Sequence, residues 1–427
     1  MNYNQNQKLN QLDEGILIIG IDVSKKFHVA RAQDFRGVEF RKGIKFDNTL
    51  EGFQQFCVWK DLLMKEETKT KVIVGMEPTG PYWLPFARWL QSQGYWTVTV
   101  NPAHVKKSKE LDDNNQAKTD YRDARVIAQL VKDARFSEPN LLEGIYEELR
   151  NAKNIRKVMV NDLKRIKNMM ANWLDRYFPE YKRGYANWEA ESFLYLLKKY
   201  KLPETFAVQN PDEIYEDIKK SFPRGVGIGK IKSLIEASKE SIGVKEGTRM
   251  ASKELDYLLR RYKEIVSDID NIEAVINGMC EELPEVQKIT KIKGIGITTA
   301  SGMAELGEIK TYQNPKQMIK MAGLALTENS SGQKKGKMSI SKRGRKDLRK
   351  ILYQAVVGMI RTNAAFHELY EYYRYRAKNQ LTGKQAIIVL VTKLLRIIHT
   401  IVVKDEEYNE GKMMASIRHP EEFVTAD

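Results

Sequence analysis

Cysteine is almost missing from this chain: only Cys57 and Cys280 occur among 427 residues. So few thiols, so far apart, exclude a disulfide framework or a Cys-rich zinc module and fit a reducing compartment. The five histidines show no metal-ligand spacing, and no nucleophile elbow marks a Ser/His/Asp hydrolase. Long apolar runs are missing as well. The most apolar late stretch, 386–403, is interrupted by Lys393 and Arg396 and reads as a buried amphipathic helix, so no membrane span is expected. The first 14 residues are rich in Asn and Gln without an apolar core, which reads as a frayed tail and not a signal peptide.

Positive charge is in surplus. Lys and Arg number 71 against 56 Asp and Glu, a net charge of +15, which points to a polyanionic partner; without an anchor, that partner reads as nucleic acid. At roughly 100–200 residues per domain, the length suggests two to four units.

Three textures follow one another. Residues 15–148 alternate short β-rich runs (16–23, 27–32, 38–46, 72–76, 95–100) with helical patterns at 50–64 and 82–93, the signature of an α/β domain with a mixed sheet. Residues 149–283 are helical and charged. There Leu255, Leu258, Tyr262, Ile265, Ile269, Ile272, Ile276, Met279 and Leu283 step by threes and fours, a coiled-coil seam. A near-heptad series from Ile155 to Tyr177 offers an antiparallel partner or a dimer contact, and two ordinary bundle helices would give the same pattern. The insertion at 178–254, punctuated by Pro179, Pro203, Pro211 and Pro223, reads as irregular. Residues 284–403 are mainly helical, and 404–427 read as a tail.

The basic surplus is concentrated. Residues 331–350 carry nine Lys and Arg against Asp347 alone, more than half of the whole-chain excess. Charge runs are often only solvated faces. Here, interleaved Gly332, Gly336, Ser339, Ser341 and Gly344 suggest a loop that follows a phosphate backbone.

Carboxylates at strand ends form the first candidate site. Asp22 closes the apolar run from Ile16, Glu77 closes that from Val72, and Asp120 and Asp123 share one face at a helix start. Singly, each also suits a structural role, as a turn residue or a charge matching the helix dipole. Together, convergent carboxylates would repel unless a cation joined them. An oxygen-only ligand set favours Mg²⁺ or Mn²⁺, which can clamp the oxygens of a phosphodiester displacement. Ser330-Ser331-Gly332, beside the basic loop, offers a hydroxyl nucleophile among cations. Glycines at Gly294-Ile-Gly296 and Gly225-Val-Gly-Ile-Gly229 fit ordinary turns equally well as backbone phosphate contacts.

Five separated motifs, Gly20-Ile-Asp-Val-Ser-Lys25, Gly75-Met-Glu-Pro-Thr-Gly-Pro-Tyr82, Asn101-Pro-Ala-His-Val-Lys106 with Lys118-Thr-Asp-Tyr-Arg-Asp-Ala124, Ala322 to Gly332, and Ile340-Ser-Lys-Arg-Gly344 with Leu348-Arg349, carry a resemblance. In that order they resemble insertion-sequence transposases of the one-hundred-and-ten class, which include Piv-type DNA invertases. The resemblance implies an RNase H-like, RuvC-like first domain whose Asp22, Glu77, Asp120 and Asp123 hold metal, and a carboxy-terminal transposase domain. It implies Ser330 as nucleophile, with Ser331 in reserve. It also implies donor and target DNA, a structured bridge RNA that pairs with both, a homodimer or homotetramer, and a prokaryotic, nucleoid-associated setting in the cytoplasm. The expected nucleic-acid contacts are Lys118, Lys334, Lys335, Lys337, Lys342, Arg343, Arg345 and Arg349. Two alternatives stand beside this reading: a metal-dependent junction endonuclease without serine chemistry, and a non-catalytic coiled-coil protein that binds nucleic acid.

Overall fold

A computed structural model describes residues 3–112, 120–183, 188–327, 336 and 338–418. The chain divides into two compact units, 1–141 and 142–427.

In chain order, the first unit contains α1 (Tyr3–Leu9), β1 (Ile16–Val23), β2 (Phe27–Gln33), β3 (Glu39–Asp47), α2 (Leu50–Glu66), β4 (Lys71–Met76), α3 (Trp83–Ser92), β5 (Trp96–Val100), α4 (Pro102–Asp112), α5 (Asp120–Lys132) and β6 (Phe136–Ser137). The strands form one mixed sheet in the order β3-β2-β1-β4-β5-β6. β1, β2 and β3 run antiparallel, while β1, β4 and β5 run parallel. Parallel neighbours need crossover helices, which is why α2 and α3 intervene.

β1 is buried on both faces as far as Ile21, so its run is apolar up to Asp22, and its period of two sorts side chains between them. Ile16 and Ile18 join Val126, Ile127 and Leu130 of α5 in one core. Leu17, Ile19 and Ile21 join Phe53 and Phe56 of α2 and Phe86 of α3 in another.

The second unit starts with two helices of 34 residues each, α6 (Gly144–Tyr177) and α12 (Thr248–Glu281). They pack antiparallel, because Trp173 Nε1 donates to the Ala251 carbonyl at 2.9 Å near one end while Arg156 meets Glu273 near the other. Leu255, Leu258, Ile265, Ile269 and Ile276 of the expected seam are buried, but Ile155 on the facing helix is 49% exposed. Both long helices also divide between two cores. Ile166 to Tyr177 and Leu255 to Ile269 enclose one; Leu149, Ala152, Ile276 and Cys280 enter the other.

Between them the expectation of an irregular insertion fails. The chain forms α7 (Pro179–Arg183), α8 (Glu191–Tyr200), α9 (Pro203–Ala207), α10 (Pro211–Ser221) and α11 (Ile228–Lys239). Pro179, Pro203 and Pro211 open helices, where a missing N–H costs nothing and a fixed φ helps. Phe193, Leu197, Phe206, Ile214, Ile231 and Leu234 then pack onto the long pair.

α13 (Pro284–Thr290), α14 (Ile297–Gly302), α15 (Pro315–Met321), a short hairpin of β7 (Leu326–Thr327) and β8 (Ser339–Ile340), α16 (Lys346–Thr362), α17 (Ala364–Tyr375), α18 (Gly383–Val403) and α19 (Glu410–Arg418) complete the unit. By length and apolarity alone, α18 could cross a membrane. In this fold Leu390, Val391, Leu394, Leu395 and Ile398 are fully buried in the larger core, with Leu352, Val356 and Phe366.

Candidate carboxylate site and serine-bearing hairpin

Strand register sets the carboxylate site. β1 and β4 are parallel neighbours with Gly20 opposite Gly75 and Ile21 opposite Met76, so Asp22 and Glu77 leave the same end of the sheet side by side. The two-residue period that directs Ile16 and Ile18 toward α5 puts Asp22 on that face too. In β4, Ile73 and Gly75 likewise put Glu77 there.

Two glycines let α5 descend onto the sheet. A Cβ on Gly20 would lie 2.2 Å from the Ala124 carbonyl oxygen and 2.3 Å from the Ala128 nitrogen, and one on Gly75 would lie 2.3 Å from Val131 Cγ2. Glycine inside a strand often marks such a close backbone approach. The first turn of α5, carrying Asp120 and Asp123, is thereby brought to the Asp22 end of β1.

Electrostatics register the crowding. Burial, then the charges of Asp123 and Asp120, push the Asp22 carboxyl from its ordinary 3.8 up to about 6; Glu77 adds to the rise and Lys109 opposes it. Asp123 is nearly fully buried, and Lys109 Nζ on α4 lies 2.5 Å from its Oδ2. Glu77 accepts a 2.7 Å hydrogen bond from Thr79 Oγ1. Lys109 is the residue that the sequence motifs did not single out; a lysine three residues beyond Lys106, on the helix before the acidic pair, was the available sign. Among the described residues, no three carboxylate, His or Cys side chains stand close enough to hold an ion together. The donor set itself fits a hard divalent cation: all-oxygen, like-charged, and already drawing one cation.

The second predicted constellation is reached from a hairpin. β7 and β8 pair Leu326 with Ile340 and Thr327 with Ser339, and the chain between them carries Ser330 and Ser331. Those serines lie outside the described residues, as do Lys118, Lys334, Lys335 and Lys337. The hairpin base is firmly laced. Arg349 Nη1 donates to the Ala322 carbonyl at 2.9 Å, Arg345 Nη1 to that of Glu305, and the Arg345 amide to that of Met321 at 2.7 Å. Gly323 has φ +68°, and a Cβ on Gly344 would fall 2.4 Å from the Met321 oxygen, so only glycine suits both places. Arg345 and Arg349 each thus spend a donor on the fold, while Lys342 and Arg343 are exposed.

Comparison with known proteins agrees with both ends of the chain. Residues 19–179 match the profile of a family described as transposase, of the DEDD type of IS110. Residues 286–371 match the transposase IS116/IS110/IS902 family. An uncharacterized 43.6 kDa protein of insertion element IS110 from Streptomyces coelicolor is 22% identical over 71% of this chain and 74% of its own length. The transposase for insertion sequence element IS1328 from Yersinia enterocolitica is 30% identical over 44% of this chain and 55% of its own. That for IS1111A from Coxiella burnetii is 23% identical over 93% and 92%.

Proposed function

Because the chain belongs to the IS110 family of insertion-sequence transposases, we propose that it breaks and rejoins DNA strands using Asp22, Glu77, Asp120 and Asp123 in its first unit and Ser330 in its second, with Ser331 in reserve. The observation that carries this reading is the meeting of Asp22 and Glu77 at adjacent strand ends beside the acidic first turn of α5. We assign the first unit to the RNase H-like folds; three antiparallel strands followed by two parallel ones in the order 3-2-1-4-5 support that assignment.

Asp22, Glu77, Asp120 and Asp123 would hold Mg²⁺ or Mn²⁺, which when bound supplies positive charge to the scissile phosphodiester. Ser330 Oγ then bonds to phosphorus as the bond to one deoxyribose oxygen breaks, and that oxygen leaves with the serine proton. A hydroxyl of another strand reverses the step, so one phosphodiester is made for each one broken. Lys342 and Arg343, with Lys334, Lys335 and Lys337, would neutralise the phosphate; Lys118 belongs to the same set of contacts. Arg345 and Arg349 hold the base of the loop. In this reading donor and target sequences are chosen by a pairing RNA, and a homodimer or homotetramer carries out the exchange.

A denaturing gel tests the reading. With DNA, Mg²⁺ and element RNA, the wild-type protein should form a covalent protein–DNA adduct that Ser330→Ala lacks and Ser331→Ala keeps. Cleavage by Ser330→Ala at the wild-type rate would remove the serine step and leave a metal-dependent endonuclease.

A further inference from the structure

In the second unit a cavity of about 470 Å³ opens between α6, α12, α14 and α16. Lys153 lies deep in it, its side chain 14% exposed and its Nζ shielded from solvent without a hydrogen-bond acceptor. The nearest carboxylate, Glu305, is 3.9 Å away, at the outer limit of an ion pair. Burial draws this ammonium below the usual lysine value. Arg156 and Glu273 both line the cavity and neutralise each other, Arg156 Nε donating to the carboxylate at 2.7 Å, which leaves Lys153 as the net charge.

Asn277, Thr298, Thr299 and Gln354 also line the cavity. None of these four side chains has a hydrogen-bond partner among the described residues. A buried ammonium without a hydrogen-bond acceptor is costly, and the distant Glu305 offsets only part of that cost. On α16, Lys346, Lys350 and Gln354 follow one another at four-residue spacing, which aligns them on one face. Both lysines are exposed, and neither is ion-paired among the described residues.

We infer that this cavity receives a phosphate group, with Lys153 as its principal cation, Arg156 beside it and the threonine hydroxyls and Gln354 amide as neutral donors. The lysine row on α16 favours a polynucleotide backbone phosphate over a free one, because it extends the same charge beyond the cavity. This inference rests on the nucleic-acid reading above and gives it a second contact, apart from the serine loop.

The experiment uses the full-length protein, a short labelled DNA duplex and fluorescence anisotropy across a salt series. Lys153→Met should weaken binding about tenfold and flatten the slope of log affinity against log salt by roughly one unit, as for one lost phosphate contact. Its melting temperature should change little, because the buried charge lost has no hydrogen bond and only a distant carboxylate in Glu305. The exposed variant Gln354→Leu should weaken binding a few-fold without changing the melting temperature. A parallel melt with inorganic phosphate separates the sources: phosphate stabilising the wild type but not Lys153→Met, at unchanged duplex affinity, assigns the cavity to free phosphate. If both variants bind duplex with wild-type affinity and slope, and phosphate shifts neither melt differently, the cavity is not a phosphate site. Should Lys153→Met unfold, Gln354→Leu binding as the wild type overturns the inference. Wild-type protein that binds no duplex would instead defeat the functional reading, leaving the phosphate melt to judge the cavity.

Discussion

The carboxylate end of the sheet and the cavity around Lys153 hold opposite charges that the fold does not fully neutralise. In the first unit, Asp22 is pushed up to about 6 by burial and by acidic neighbours, and a single lysine answers Asp123. In the second, an ammonium is buried with no acceptor and its nearest carboxylate at 3.9 Å. Their construction differs. The acidic site is placed at strand ends by a local signal, the apolar run with its period of two, and then closed by strand register and two glycines; the basic one needs helices from 144 to 362 brought together by tertiary packing. Folds that maximised their own stability would remove both charges, so each marks a place where a counter-charge from outside is expected.

The largest effect should come from removing the acidic site's charge. Asp22→Asn or Glu77→Gln should reduce Mg²⁺-dependent strand cleavage by roughly 10³-fold, the several kcal/mol that metal-assisted charge stabilisation supplies. Lys153→Met, by contrast, should act on duplex binding. If single-turnover cleavage by the two carboxylate variants matched the wild type, the carboxylates would be surface charges and the contrast between the two sites would collapse.

Next in size is the close approach that builds the site. Gly20→Val puts a side chain where the Ala124 and Ala128 backbone already stands, so α5 must move off β1. The expected loss is about 3 kcal/mol, measured by denaturant unfolding, and cleavage should fall with it. Gly296→Ala, at a helix start in the second unit where a Cβ meets nothing within 4 Å, should stay within about 0.5 kcal/mol. Equal effects at the two glycines would mean that the descent of α5 does not depend on Gly20.

This difference in construction also explains what could be read from sequence. The run Ile16–Val23 is a strand over that whole span, and Asp22 and Glu77 stand at strand ends as their apolar runs suggested. Alternation and run length are local signals, and the sheet obeys them. Helices α7 to α11 were illegible because proline reads as a breaker, although Pro179, Pro203 and Pro211 sit where a helix accepts it. The heptad series foretold the buried stripe of α12 but not its two cores, because spacing shows which face is apolar and not what covers it. Lys109 and Lys153 escaped notice for a related reason. A lysine in a charged segment looks solvated until tertiary structure encloses it.

A smaller effect tests the crowding itself. Below about pH 4 Asp22 is protonated in both the folded and unfolded protein; above that the unfolded chain releases the proton first, since the folded value is about 6 against an ordinary 3.8. The stabilisation present in acid is therefore lost as pH rises through 6. Without divalent cations, Asp22→Asn should be more stable than the wild type at pH 8 by about 1–2 kcal/mol, discounted for partial exposure, and the gain should vanish near pH 4. Adding Mg²⁺ at pH 8 should narrow the gap by stabilising the wild type. Thermal melts at both pH values, with and without the ion, check this; a gain that persists in acid would assign the effect to packing.

The smallest effect decides what Lys109 is for. Its Nζ lies 2.5 Å from Asp123 and opposes the rise at Asp22, so it stands where a cation is wanted. With the lysine head partly exposed, Lys109→Met should cost only about 0.5–1 kcal/mol without divalent ions. Its effect on ion affinity separates two roles. A lysine that fills in for the absent ion must be displaced before the ion can bind, so its removal should tighten Mn²⁺ binding a few-fold in a calorimetric titration. One that merely orients Asp123 would leave that carboxylate loose when removed, and binding would weaken. Tightening would mark the acidic site as self-blocked until an ion arrives, a device weaker at Lys153, whose only competing partner among the described residues is Glu305 at 3.9 Å.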